Sequence, residues 1–145
     1  LLKSKEELKM MELTINGQVY QFKFGMGFLR ELNKQMVIPV DGIPGAKKDI
    51  GFRYTLGSFL DNDPEALVTI LNTANRGQDP RATREILDDY VDDEDTDIDQ
   101  LFEDVLGFLK SSNATKKNTV ELLEAVEKEK KKQAEMEAKK QEMMA

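Results

Sequence analysis

The 145-residue chain contains no cysteine, no histidine and no tryptophan. The usual ligands of a zinc site are therefore missing. Thiolate nucleophiles, disulfides, thiolate-held iron–sulfur clusters and Ser-His-Asp triads are excluded with them. Long apolar runs are absent as well, since none approaches the roughly 20 residues a membrane-spanning helix needs. The first ten residues carry Lys3, Lys5, Glu6, Glu7 and Lys9 and lack the apolar core of a signal peptide. A soluble, intracellular protein is the expectation, and zero cysteine agrees with a reducing compartment. Apolar residues make up 39% and charged residues 34%. That balance is globular but lean, so part of the chain is expected outside the packed core.

The net charge of −7 is unevenly spread. Residues 1–60 carry nine basic and six acidic side chains, residues 61–104 three basic and fifteen acidic, and residues 105–145 nine basic and seven acidic. The middle third is thus an acidic belt of net −12 between two mildly basic ends. Such a belt repels phosphate backbones, and no basic stripe offsets it, which argues against direct nucleic-acid binding.

Hydrophobic periodicity predicts one hairpin followed by helices. Over residues 12–24, Leu13 and Ile15 alternate with polar residues, as do Tyr20, Phe22 and Phe24. Asn16-Gly17 between the two runs tolerates the positive φ angles of a tight two-residue turn. Phe28, Leu29, Leu32 and Met36 recur at helical spacing, with Pro39 closing that helix. Residues 40–49 read as an exposed loop with Gly42, Pro44, Gly45, Lys47 and Lys48, and residues 52–60 as a second helix. Asp63-Pro64 starts a third helix, ended by Gly77, and Asp79-Pro80 repeats the start signal for a fourth. Thr96 or Asp97 caps a fifth, whose broad stripe is Ile98, Leu101, Phe102, Val105, Leu106, Phe108 and Leu109. In the last segment Val120, Leu122, Leu123 and Val126 form a patch, after which the large apolar side chains are Met136, Met143 and Met144. Residues 118–141 read as a helix whose far half protrudes or frays, supported by the i,i+4 pairs Glu124–Lys128, Glu127–Lys131 and Glu135–Lys139. The expected fold class is α+β and predominantly α-helical: an N-terminal β-hairpin followed by about five to six helices, the last long and charged. The expected division is residues 1–10 as an N-terminal extension or sequence foreign to the protein, 11–117 as a single folded domain of hairpin plus helices, and 118–145 as a charged C-terminal helix or tail.

Several patterns invite chemistry. An EF-hand loop starting at Asp93 would use Asp95, Asp97 and Asp99, but Ile98 stands where glycine makes the sharp turn and Asp104 where a bidentate Glu is usual. Asp near a helix N-terminus is favoured by the helix dipole, which explains the run without a metal. No apolar pocket is evident to tune a carboxylate pair for acid–base work. Gly25 and Gly27 lack a third glycine at the dinucleotide spacing, so they read as a strand end before a helix. The seven methionines are scattered, as core gap-fillers or tail residues would be. The stripe over 101–109 reads either as ordinary core or as a surface that buries helices of another chain.

The segment ELTINGQVYQFKFGMGFLRELNK, residues 12–34, resembles the opening of the tail assembly chaperones of long-tailed phages (siphoviruses) infecting Gram-positive bacteria. The Asn16-Gly17 hairpin, the Phe22-Lys23-Phe24-Gly25 exit and the Phe28-Leu29-Arg30-Glu31-Leu32-Asn33 helix carry the likeness. Asp63-Pro64-Glu65-Ala66-Leu67, residues 98–105 and Ser111-Ser112-Asn113-Ala114-Thr115 are similar to later family segments. The resemblance spans about residues 11–117. It implies a non-enzymatic assembly factor without cofactor or metal. Its partners would be the tape measure protein, which it keeps soluble, and the tail tube (major tail) protein, whose polymerisation it promotes. It would act in the host cytoplasm, form a homo-oligomer such as a ring or spiral, and be absent from the finished virion. Contacts with neither nucleic acid nor membrane are expected.

The partner-binding residues expected on this reading are Leu101, Phe102, Val105, Phe108, Leu109, Leu122, Leu123 and Val126. Lys130-Lys131-Lys132 reads either as a solvated helix face or, through A-rich lysine codons, as a frameshift site producing a longer form. Two other function classes stand beside the chaperone: an acidic DNA-mimic inhibitor of a basic host protein, and a calcium-binding interaction module.

Overall fold

Asn16 and Gly17 adopt φ values of 52° and 79°, the paired left-handed conformation that a tight hairpin turn requires. They join β1 (Met10–Ile15) to β2 (Gln18–Lys23) in an antiparallel ladder with Leu13 opposite Tyr20 and Met11 opposite Phe22. The structure, a computed structural model, describes residues 10–145. The extension assigned to residues 1–10 lies outside the described residues, except for Met10, which opens β1. Alternation puts Met11, Ile15, Tyr20 and Phe22 on the buried face.

After β2, α1 (Met26–Asn33) buries Phe28 and Leu32. It stops well before the expected Pro39. β-Branched Val37 and Ile38 favour extended backbone, and Ile38 is further restricted by preceding proline. These residues form β3 (Val37–Pro39), which pairs with β4 (Lys47–Asp49). The segment expected as a plain loop is therefore a second, exposed hairpin. Val40 and Ala46 extend it through a backbone bond of 3.0 Å.

α2 (Gly51–Leu60) starts against the end of α1. The Asn33 side chain accepts from the Phe52 amide at 3.0 Å, satisfying a donor that the helix start leaves free. α3 (Pro64–Asn75) begins as expected, with the Asp63 carboxylate accepting from the Glu65 amide at 3.0 Å. Eight of its twelve residues are buried. It is buried on all but the face carrying Glu65, Thr69 and Asn72, because β2, α1, α2 and the next helix all pack on it.

The expected start at Asp79-Pro80 is corrected. α4 (Arg84–Asp92) is capped by Thr83, whose hydroxyl accepts from the Ile86 amide at 3.3 Å. Residues 80–82 are instead held against the end of α3. The fully buried Asn75 donates to the carbonyls of Gln21 at 2.8 Å and Pro80 at 3.4 Å. Its carbonyl accepts from the Ala82 amide at 2.6 Å and from Arg81 at 2.7 Å. The Asp79–Pro80 peptide is cis.

α5 (Ile98–Ser111) is capped by Asp97, which accepts from the Gln100 amide at 3.1 Å. Thr96, the other candidate cap, donates to the Tyr90 carbonyl at 2.6 Å instead. The corner after α5 is pinned by side chains. Ser112 donates to the Phe24 carbonyl, and buried Thr115 donates to the Leu109 carbonyl at 2.7 Å. α6 (Lys116–Met144) then packs on α5 and α2, with Arg53 donating to Asn118 at 3.1 Å. It is longer than expected at both ends. Its 29 residues extend about 43 Å at 1.5 Å per residue. From residue 127 onward every side chain is exposed, so the far half protrudes and stays helical. None of its i,i+4 pairs closes to 4.0 Å; the ion pairs among the described residues are Lys34–Glu31, Arg76–Glu31 and Arg84–Glu65.

The phenylalanines tie these layers together. Phe108, Phe24, Phe28 and Phe52 run in a string, with successive ring centroids 5.7, 5.2 and 6.3 Å apart. That string joins α5, the β2 exit, α1 and α2.

The α1–α2 contact makes a sharp stability prediction. A Cβ on Gly51 would sit 1.9 Å from the Leu32 carbonyl oxygen and 3.0 Å from that of Asn33. Gly51→Ala should lower unfolding free energy by about 3 kcal/mol, the upper range for overpacking. Gly107, in the middle of α5, has open space around it. Gly107→Ala should raise stability by about 0.5–1 kcal/mol. Denaturant titration of the two variants checks both signs.

Candidate functional site

The apolar stripe of α5 is wider than one neighbour covers. Leu101, Val105 and Leu109 recur every four residues and are buried in the core. The flanking Phe102, Leu106 and Phe108 are only half-buried. Of the α5 stripe over 101–109, only these flanks are accessible at the surface.

The two flanks open onto different surfaces. Phe102 leans on Phe59, with ring centroids 5.3 Å apart. With Leu60, Leu106 and Leu123 they line a groove of about 290 Å³ between α2, α5 and α6, rimmed by Asn62, Asp99 and Glu103. Phe108 stacks on Phe24 and walls a larger cleft of about 510 Å³. That cleft lies between the β2–α1 turn and the α5–α6 corner, and includes Met26, which is 50% exposed. Of the residues expected at a partner surface, Phe102 and Leu123 come together in the groove, and Phe108 stands apart in the cleft. Leu122 and Val126 are half-buried on α6. Sequence reasoning missed Phe59, Leu60 and Met26, because no local pattern tells which helix end will face α5.

The acidic run takes a different form. Asp89, Asp93, Asp95 and Asp97 line a polar cleft of about 370 Å³ beside Asn16, Tyr90 and Thr96. Asp93 accepts from the Asp95 amide at 3.0 Å, and Asp97 caps α5. Asp99 stands on the rim of the groove, and Asp104 accepts from the Gln100 amide group at 2.8 Å. The five carboxylates of the EF-hand reading are thus distributed over separate tasks. Among the described residues no group of three acidic side chains is arranged to hold a metal ion. The acidity is concentrated at the α4–α5 turn rather than spread over a rigid face.

Arg81, at the turn after α3, has a lowered pKa. Burial lowers it, and the nearby charge of Arg76 lowers it further. Its guanidinium donates only to neutral oxygens: the Asn75 and Asn72 side chains and the Ala82 carbonyl, each at 2.7 Å. It clamps the turn after α3 to the end of that helix. No helix among the described residues is long and apolar enough to cross a membrane.

A family model described as phage tail assembly chaperone protein matches residues 12–124. The chain belongs to the phage tail assembly chaperone family. The match takes in the hairpin, both depressions on α5 and the packed start of α6. It ends at Glu124, just before the exposed arm. Comparison with curated proteins and with solved structures gives no match. Membership in this chaperone family implies phage tail proteins as partners.

The caps make the acidic turn of the chaperone testable. Asp97→Ala should cost about 1 kcal/mol of stability through the lost cap. Thermal melts of the parent chain in calcium and in chelator should coincide, since the same carboxylate already serves the α5 backbone.

Proposed function

We propose that this chaperone binds the tape measure protein of a long-tailed phage infecting Gram-positive bacteria. It keeps that helical client soluble, promotes assembly of the tail tube around it, and leaves before the virion is complete. It works in the host cytoplasm as a homo-oligomer, a ring or spiral of copies along the client, and catalyses no reaction.

The observation that carries this reading is the pair of apolar depressions on α5, at Phe102 and at Phe108, within the family-matched span. An amphipathic client helix presents apolar side chains at i, i+3, i+4 and i+7, and shallow apolar concavities receive such anchors. Each depression is small, so a single contact is weak and reversible. Several copies acting together raise the effective affinity without making any one contact hard to break. The acidic belt keeps the complex dissolved.

Co-expression with a tape measure fragment tests the proposal. The fragment should move from the pellet to the soluble fraction with the parent chain. Phe102→Ser together with Phe108→Ser should abolish that rescue, with circular dichroism confirming retained helix. Met26→Glu gives a second arm that spares the fold. It replaces a half-exposed residue and adds the acidic group that the first turn of α1 lacks, which the helix dipole favours. It should weaken rescue severalfold. A fragment that stays equally insoluble with and without the chaperone would overturn the reading. The longer frameshifted form is a further part of the proposal. It requires a run of A's at the Lys130-Lys131-Lys132 codons and an overlapping reading frame, which the nucleotide sequence decides.

A further inference from the structure

The α5 groove lies open in a single chain, and the arm of α6 carries an apolar face that also lies open. On the arm, Met136 and Met143 are 67% and 87% exposed. They are seven residues apart, so they share one face of the helix about 10.5 Å from each other. Lys132, Lys139 and Lys140 stand four before, three after and four after Met136, and so flank that face. The groove runs along α5 from Asp99 to Leu106, again seven residues and about 10.5 Å. Phe59, Phe102, Leu106 and Leu123 line it, and Asp99 and Glu103 form its rim. An apolar pair flanked by lysines thus matches an apolar floor rimmed by carboxylates in both length and charge. The arm cannot fill the groove of its own chain. α6 supplies Leu123 to the groove wall and continues unbroken to Met144, which carries Met136 about 20 Å past Leu123.

We propose that the Met136 and Met143 face of one copy docks in the α2–α5–α6 groove of a second copy. Arm and groove are different surfaces, so the contact is head to tail and propagates into a spiral or closes into a ring. With the Phe102 groove taken by a neighbour's arm, the Phe108 cleft of every copy stays free for the client, and a linked array presents a row of such clefts to one client helix; the groove then serves client binding only through that linkage. The inference rests on the reading of the α5 depressions as helix-accepting surfaces.

Sedimentation velocity of the full chain over a range of concentrations tests it without the client. The parent chain should self-associate, less strongly in high salt. Met136→Glu with Met143→Glu disables the arm, and Leu106→Arg disables the groove. Each variant alone should associate at least tenfold more weakly. An equimolar mixture of the two should recover a 1:1 complex that grows no further, because one intact groove then meets one intact arm. Should Leu106→Arg lose helix by circular dichroism, Glu103→Lys replaces it, and Lys139→Glu on the partner copy should restore association. A parent chain that stays monomeric, variants that assemble like the parent, or a mixture that forms no 1:1 complex would each overturn the proposal. A monomeric chain that still rescues the tape measure fragment would remove head-to-tail linkage and leave the chaperone reading standing.

Discussion

One buried side chain joins the hairpin to the helices. Asn75, at the end of α3, is fully withdrawn from water and makes four hydrogen bonds in three directions: to Gln21 in β2, to Pro80 and Ala82 in the following turn, and to Arg81. A buried amide left without partners costs about 1–3 kcal/mol, and the groups it serves would lose theirs as well. The site is therefore selective as well as stabilising. α3 must end where it does, β2 must lie in its observed register, and the chain must turn back at residues 80–82 to satisfy the same amide. Among the described residues every buried side-chain nitrogen and oxygen has a partner, so this junction is closed rather than strained.

Once α3 is fixed, the rest follows from how many neighbours each helix has left. α3 is covered by β2, α1, α2 and α4. α5 packs on α6, contributes only Leu101, Val105 and Leu109 to the fully buried core, and leaves both flanks of its stripe partly open. The candidate partner surface is thus a geometric remainder. The apolar arc of α5 exceeds what one chain can bury, and the excess appears on two sides as a groove and a cleft. The aromatic rings at these places are held from behind, Phe102 by Phe59 and Phe108 by Phe24, so each depression has a rigid floor. A floor of that kind receives a helix without first paying to order itself.

Features set by neighbouring residues were legible in the sequence. Asn16-Gly17 turned the hairpin, Asp63-Pro64 started α3, and Asp97 capped α5, because each needs only a few atoms of local backbone. The broad stripe on α5 was legible as excess, but not how it divides. Which flank meets Phe59 and which meets Phe24 depends on packing between residues more than forty positions apart. Asp79-Pro80 misled because its local signal was sound, and the competing signal came from Gln21 through Asn75, 54 residues away. The second hairpin was hidden for another reason. Its strands are three residues long and exposed on both faces, so no hydrophobic alternation marks them.

The arm of α6 shows the opposite economy. An isolated helix of this length is marginal in water, since nucleation is costly and the gain per residue small. Here nucleation is settled upstream, where Thr119 is buried, Leu122 packs on the core and Leu123 lines the groove with α2 and α5 residues. The arm needs only propagation, and its Ala, Glu, Lys, Gln and Met residues are among the best helix formers. Rigidity is obtained there without a core. The contrast with the aromatics is informative: every phenylalanine is at least half-buried, while Met136, Met143 and Met144 are left in water. These methionines take no part in the core cluster of their own chain. Their placement on a stiff, lysine-flanked face is consistent with a surface shaped for contact outside its own fold.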